Sequence, residues 1–189
     1  LVWRDNFGYI LDKYTHWATY EPEEDGVLIV YASMYGNTEF AAQALASKLC
    51  EAGITNISLR DVSSTHVSTL IAEAFKYSNI VLASVTYNLG IYPPMLNFLE
   101  DMKALNVQNR AVTIIDNGTW APQAAEKMEA FIDNEMKVMD VLPESLNIVS
   151  SLKAMKEPEM DAIVEGIKDS MKKRKEEKAK VAAQKKQSK

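Results

Sequence analysis

The residues Val27 to Thr38, VLIVYASMYGNT, restrict this chain more than any other stretch. Val27 to Ala32 is too short and too β-branched for a buried helix, and it is apolar on both faces, as a central parallel strand should be. Ser33 to Thr38 then supplies hydroxyls at Ser33, Tyr35 and Thr38, an amide at Asn37 and a flexible Gly36. A helix from about Glu39 to Glu51 follows. The turn therefore offers N–H and O–H donors at a helix start, where an anion is stabilised. It contains neither G-x-G-x-x-G nor G-x-x-x-x-G-K-[ST], and no Lys or Arg. A triphosphate would be poorly neutralised there, whereas a single phosphate monoester suits neutral donors and a helix N-terminus. An ordinary β–α turn with a serine cap is the plainer alternative.

Taken in order, the chain alternates helices and strands. Tyr9, Ile10, Tyr14 and Trp17 recur at helical spacing, which predicts a short amphipathic helix that ends before Pro22 and packs on the domain edge. Further strands are expected at Asn56 to Arg60, Asn79 to Ala83, Arg110 to Ile115 and Ser145 to Val149. Helices are expected at Thr65 to Tyr77, capped by Ser64 or Thr65, at Pro94 to Leu105, at about Gln123 to Asn134, and from Glu157 onward. This alternation predicts an α/β fold, a doubly wound five-stranded parallel sheet of flavodoxin-like order 2-1-3-4-5.

A chain of 189 residues, 47% hydrophobic, suffices for one such domain. No apolar run approaches the roughly 20 residues of a membrane span, and no signal pattern opens the chain, so no membrane partner and a cytoplasmic location are expected. Cys50, the single cysteine, reads as a packed or idle thiol. The formal charge of −5 divides into about +7 from Met171 to Lys189 and about −12 elsewhere. The acidic body argues against nucleic acid. Three segments are expected: a lead-in over 1–25, the domain over 26–170, and a basic, solvated and frayed tail over 171–189.

In the order 2-1-3-4-5, strands 1, 3 and 4 are neighbours and ligands sit beyond their C-terminal ends. The loops after those strands are Ser33 to Thr38, Ser84 to Tyr92 and Asn117 to Ala121. The first provides a phosphate cradle. The others bring Tyr87, Tyr92 and Trp120, flat surfaces on which a planar ring can stack. Asn88, Gly90, Asn117 and Gly118 can bring backbone polar groups to the ring edge. Phosphate at one end and a stacked heteroaromatic ring at the other describe flavin mononucleotide, FMN.

The motifs SMYGNT, TYNLGIYP and NGTWAP, with the lead-in ILDKYTHWATYEPEE, resemble the flavodoxin-like domain of the flavodiiron proteins, also called A-type flavoproteins. The resemblance covers Val2 to about Ile167. It implies FMN held by Ser33, Met34, Tyr35, Gly36, Asn37 and Thr38 at the phosphate and near side of the ring. Thr86, Tyr87, Asn88, Gly90 and Ile91 would contact the isoalloxazine, with Asn117, Gly118 and Trp120 on its other flank. It further implies rubredoxin or a flavin reductase as electron donor, a diiron domain as acceptor, a head-to-tail homodimer, and reduction of O2 or NO at the irons. Val85 stands where the family usually has proline. The diiron domain precedes this segment in the family, so 1–25 is expected to be a linker from it. His16 and His66 lack metal-ligand spacing and are expected on the surface or in packing, with no iron in this chain.

Two other enzyme or signalling readings and one inert one compete. A self-contained NAD(P)H-dependent flavin or quinone reductase needs a nicotinamide pocket, and no basic cluster outside the tail suggests one. A receiver domain needs acidic residues where Ser33 and Ser84 stand. A cofactor-free interaction module remains the third.

Overall fold

The computed structural model describes residues 2–187, without the side chains of 182 and 185–187; Leu1 of the lead-in and residues 188–189 of the tail lie outside them. Helix α1 (Phe7–Thr19) leads into β1 (Glu24–Ala32), α2 (Asn37–Glu51), β2 (Ile57–Asp61), α3 (Val67–Lys76) and β3 (Tyr77–Tyr87). A short β4 (Gly90–Ile91) is followed by α4 (Pro93–Ala104), β5 (Arg110–Asn117) and α5 (Ala124–Glu135). The edge strands β6 (Met139–Val141) and β7 (Leu146–Ile148) then precede α6 (Glu157–Gln187).

The sheet order is β2-β1-β3-β5-β6, with β7 also on β5 and β4 on β3. The main ladders are parallel. This is the expected doubly wound order, with the fifth position shared by two pieces: β6 pairs with Arg110 to Val112 and β7 with Ile115 to Asn117. The antiparallel hairpin of β3 and β4 is an addition, joining Thr86 to Ile91 and Tyr87 to Gly90.

Strand alternation sends successive side chains to opposite faces. Leu28 and Val30 of β1, with Ile80 and Leu82 of β3, enter the core beneath α3, α4 and α5. Val27 and Ile29, with Val81 and Ala83, enter the core beneath α2 and α6. Both faces are covered, which explains the continuous apolar runs of the two central strands.

At the pole opposite the β1, β3 and β5 C-terminal ends, the buried Arg110 guanidinium is held by backbone carbonyls alone. Its Nε donates to Ala74, Nη2 to Phe75, and Nη1 to Tyr20, Gln108 and Asn109. Burial pushes its pKa down to about 10, with Arg174 adding to that effect. The carbonyls of Ala74 and Phe75 belong to the last turn of α3, the negative end of its dipole, so a cation is favoured there.

Two expectations need correcting. No residue of α1 is buried: Tyr9, Tyr14 and Trp17 are exposed and Ile10 half-buried. Its attachment is polar. The Tyr20 carbonyl accepts from Arg110, Trp17 Nε1 donates to Glu23 at 2.6 Å, and Lys13 pairs with Glu23. At the other end, 170 is not a structural break. Helix α6 runs through the basic segment to Gln187, Met171 is buried, and Arg174 Nη2 donates to the Asn109 carbonyl at 2.7 Å. Lys, Glu and Ala are good helix formers, and the first basic turns still pack on the domain.

Candidate functional site

The loop after β1 is shaped by its own residues. Ser33 Oγ accepts the Gly36 amide at 3.0 Å, and Gly36 takes φ +84°, a conformation that disfavours a side chain. Gly36 is the N-cap of α2 and supplies no side-chain cap, so the first amides of this helix are left for another acceptor. Thr38, buried in its first turn, receives the Asn117 side-chain amide at 3.3 Å.

Asn117 also donates to the Ser150 carbonyl at 2.9 Å, and the Gly118 amide donates to the Ile148 carbonyl at 3.0 Å. The loops after β1, β5 and β7 are thus joined at one rim. Gly118 is tightly seated: a Cβ there would lie 3.0 Å from Pro122 Cβ and 3.3 Å from Thr86 Cβ. The end of β3 joins through Thr86. Its Oγ1 accepts the amides of Gln123 and Ala124 at 2.9 and 3.0 Å and donates to Asp116 Oδ1 at 3.0 Å. Asp116 is almost wholly buried. Burial pushes its carboxyl above the usual range, opposed by the Thr86 hydroxyl and the amides of Ala125, Asn117 and Ala124.

A cleft of about 180 Å³ opens between these loops. It is lined by Ser33, Met34, Tyr35, Asn37, Thr38, Thr86, Asn117 and Gly118 from the sequence reading, and by Val85, Thr119 and Ser150, which that reading missed. Ser150 lies in a plain serine pair without the glycine or aromatic signal of the other loops. Gly36 shapes the first loop without lining the cleft, and Tyr87, Asn88, Gly90, Ile91 and Trp120 also lie off its wall. Ile91 packs on the core beneath the hairpin, and Tyr87 stands edge-on to Tyr92 with ring centres 5.9 Å apart. Tyr35 and Trp120 stand out at the rim, 86% and 87% exposed.

The donor set fits a phosphate ester: an uncapped helix start, the Ser33 and Thr38 hydroxyls and no charged side chain in the lining. The exposed aromatic rim leaves planar faces beyond the cleft for a ring. Among the described residues, no group of three or more His, Cys, Asp or Glu side chains could hold a metal. His66 instead caps α3, its Nδ1 accepting the Ser68 amide at 3.2 Å, and His16 Nδ1 lies 2.9 Å from the Asp12 carbonyl oxygen.

The family model of flavodoxin matches residues 29–142. The chain belongs to the flavodoxin family. This flavodoxin-family chain is 24% identical over 164 residues to the anaerobic nitric oxide reductase flavorubredoxin of Klebsiella pneumoniae subsp. pneumoniae, a match covering 86% of the chain and 32% of that protein. In three dimensions it resembles the rubredoxin oxygen:oxidoreductase of Desulfovibrio gigas, with TM-score 0.79 and 21% identity over 87% of this chain and 40% of that one. It also resembles the flavodiiron protein of Giardia intestinalis, with TM-score 0.77 and 20% identity over 90% of this chain and 41% of that one. The resemblance to flavodiiron proteins read from the motifs therefore recurs in both sequence and structure. The chain spans about a third of the length of the flavorubredoxins it matches. The family implies flavin binding. No helix among the described residues is long and apolar enough to cross a membrane.

Proposed function

We propose that this flavodoxin-family chain is an FMN-binding electron-transfer domain, serving a flavodiiron oxygen or nitric oxide reductase. Electrons would enter from a rubredoxin-type donor or a flavin reductase and leave to a diiron centre on another domain, reached through the lead-in over residues 1–25. The observation that carries this reading is the uncapped start of α2 facing a cleft bounded by the end of β3 and the loops after β1, β5 and β7.

In this reading FMN supplies the redox chemistry, accepting and releasing electrons one or two at a time. The chain's residues do the rest. The amides at the start of α2, with the hydroxyls of Ser33 and Thr38, hold the phosphate monoester without a cation. Asn117 locks the first and third loops to the segment after β7, which fixes the phosphate end relative to the ring end. Thr86, Gly118 and Val85, on the cleft wall, would face the ring, and Tyr87, Asn88, Gly90 and Trp120, off that wall, would provide its outer surroundings. The exposed rim keeps the ring within reach of a docking donor, and of the irons of a second subunit if the chains pair head to tail.

A visible absorption spectrum of the purified chain, before and after adding FMN, tests this first. Flavin bands with about one FMN released per chain, identified by mass, support it. A colourless chain that leaves added FMN fluorescent and free overturns it. Steady NADH oxidation by the chain alone would instead favour the self-contained reductase.

A further inference from the structure

The wall of the cleft on the Thr86 side is backed by a one-way chain of hydrogen bonds. Thr86 Oγ1 already accepts two amides, from Gln123 and Ala124. Its single proton is therefore committed to Asp116 Oδ1, 3.0 Å away. The other groups facing that carboxyl are donors as well: the amides of Ala124, Ala125 and Asn117. A carboxyl surrounded only by donors is matched as an ionised acceptor. These partners include the opening amides of α5, where a negative charge is favoured. Asp116 is 1% exposed.

Asp116 is adjacent to Asn117 in the chain and one hydrogen bond behind Thr86, and both of those residues line the cleft. The lining itself carries no charged side chain, so nothing in it offsets this charge. In a buried, weakly screened setting a fixed charge acts over longer distances than it would in water.

We propose that Asp116 is a positioning and potential-setting residue: a buried fixed negative charge, held by Thr86 and the start of α5, that selectively weakens binding of the electron-rich reduced flavin. This rests on the FMN reading above. The effect is differential. Oxidised FMN has a neutral ring and is little affected, whereas two-electron reduction without full protonation places negative charge on the ring. The consequence is a lower reduction potential in the protein than the same cleft would give with a neutral residue at 116. The carboxylate also ties the end of β3 to the end of β5, but that tie acts on both forms of the flavin alike.

The experiment measures the dissociation constants of oxidised and dithionite-reduced FMN for the full chain, for Asp116→Asn and for Asp116→Ser, with folding followed by circular dichroism. Asn keeps an acceptor for the Thr86 hydroxyl; Ser keeps a smaller one and leaves room for water beside the α5 amides. The expected result is a ratio of reduced to oxidised dissociation constants about tenfold lower in both neutral variants, which equals an upward shift of about 30 mV for a two-electron couple. A purely structural carboxylate would weaken both forms equally and leave the ratio unchanged, which overturns the proposal while FMN binding stands. If neither neutral chain folds even with FMN present, the role is structural and the proposal is overturned as well. If the unaltered chain binds no FMN in either state, the flavin reading itself fails and the proposal with it, an outcome distinct from the other two.

Discussion

Asn117 donates its side-chain amide to the backbone carbonyl of Ser150, 2.9 Å away. The same nitrogen lies 3.3 Å from Thr38 Oγ1, so one amide ties the end of β5 to the segment after β7 and to the first turn of α2. Ser150 has φ +68°, a left-handed conformation uncommon outside glycine and asparagine, and its carbonyl is thereby turned toward the rim.

Replacing Asn117 by Ala should release this clasp. Each lost hydrogen bond is worth about 1 kcal/mol net to folding, so the melting temperature should fall by a few degrees, and FMN affinity should fall by roughly a factor of ten, a 1.4 kcal/mol effect, as the rim loosens. Fluorescence titration of FMN measures the second quantity. An affinity equal to that of the unaltered chain would show that the clasp does not shape the bound state.

Trp120→Ala addresses the aromatic rim. The indole is 87% exposed and stands off the cleft wall, so its removal leaves no cavity. If the flavin ring stacks on it, affinity drops by about 1 to 3 kcal/mol, as for bases stacked on aromatic side chains. No loss would mean that the ring does not stack on Trp120.

The hairpin between β3 and β4 turns through Asn88 at φ 47° and Leu89 at φ 57°. Two positive φ values are the type I′ pattern, which asks for Asn-Gly. Leucine bears a steric penalty there of about 1 to 2 kcal/mol, and its side chain is 58% exposed. Leu89→Gly should raise stability by up to about 1 kcal/mol, after allowance for the added freedom of glycine in the unfolded chain. Thermal unfolding without added flavin is the check, and a lower melting temperature would mean that the leucine side chain makes a compensating contact.

Arg60 and Glu73 make a pH-dependent contribution remote from the cleft. Burial pushes the Glu73 carboxyl up, but hydrogen bonds from Arg60 and Ser58 and the charges of Arg60 and Lys76 outweigh it, and the net direction is down. A folded pKa below the unfolded value means stabilisation present above the unfolded value and lost as pH falls through the folded one. Stability should therefore decline in the acid range, and Glu73→Gln should make that decline shallower. Urea unfolding at neutral pH and at successive acid values gives both slopes; parallel slopes would remove Glu73 from the account.

Much of the scaffold was legible because β1 and β3 are covered on both faces, so their signal is an unbroken apolar run. The short elements were not. β4 consists of Gly90 and Ile91 and follows Asn-Leu instead of Asn-Gly, while β6 is three residues containing an aspartate, too brief for a period to show. In the site, loops with glycine and aromatic residues announced themselves, and Ser150 did not. Thr86 shows a different limit. Its place in the second loop was readable, but its bonds to Asp116, Gln123 and Ala124 span 30 to 38 residues and depend on tertiary contact that no local pattern encodes. The apolar spacing of α1 predicted packing that the structure does not make, because spacing specifies a face and not the neighbour that meets it.

The divided fifth position of the sheet bears on how the molecule behaves in a crowd. A foreign strand approaching that border finds three ladder positions on β6, an interruption at residues 142–145, and three more on β7. The opposite border, β2, is five residues long. Neither margin is a long, flat template for lateral growth. Self-association through main-chain pairing would therefore have to begin from β1 or β3, whose apolar segments are sealed between two helical layers, so opening of the fold and not collision of native molecules should limit its rate.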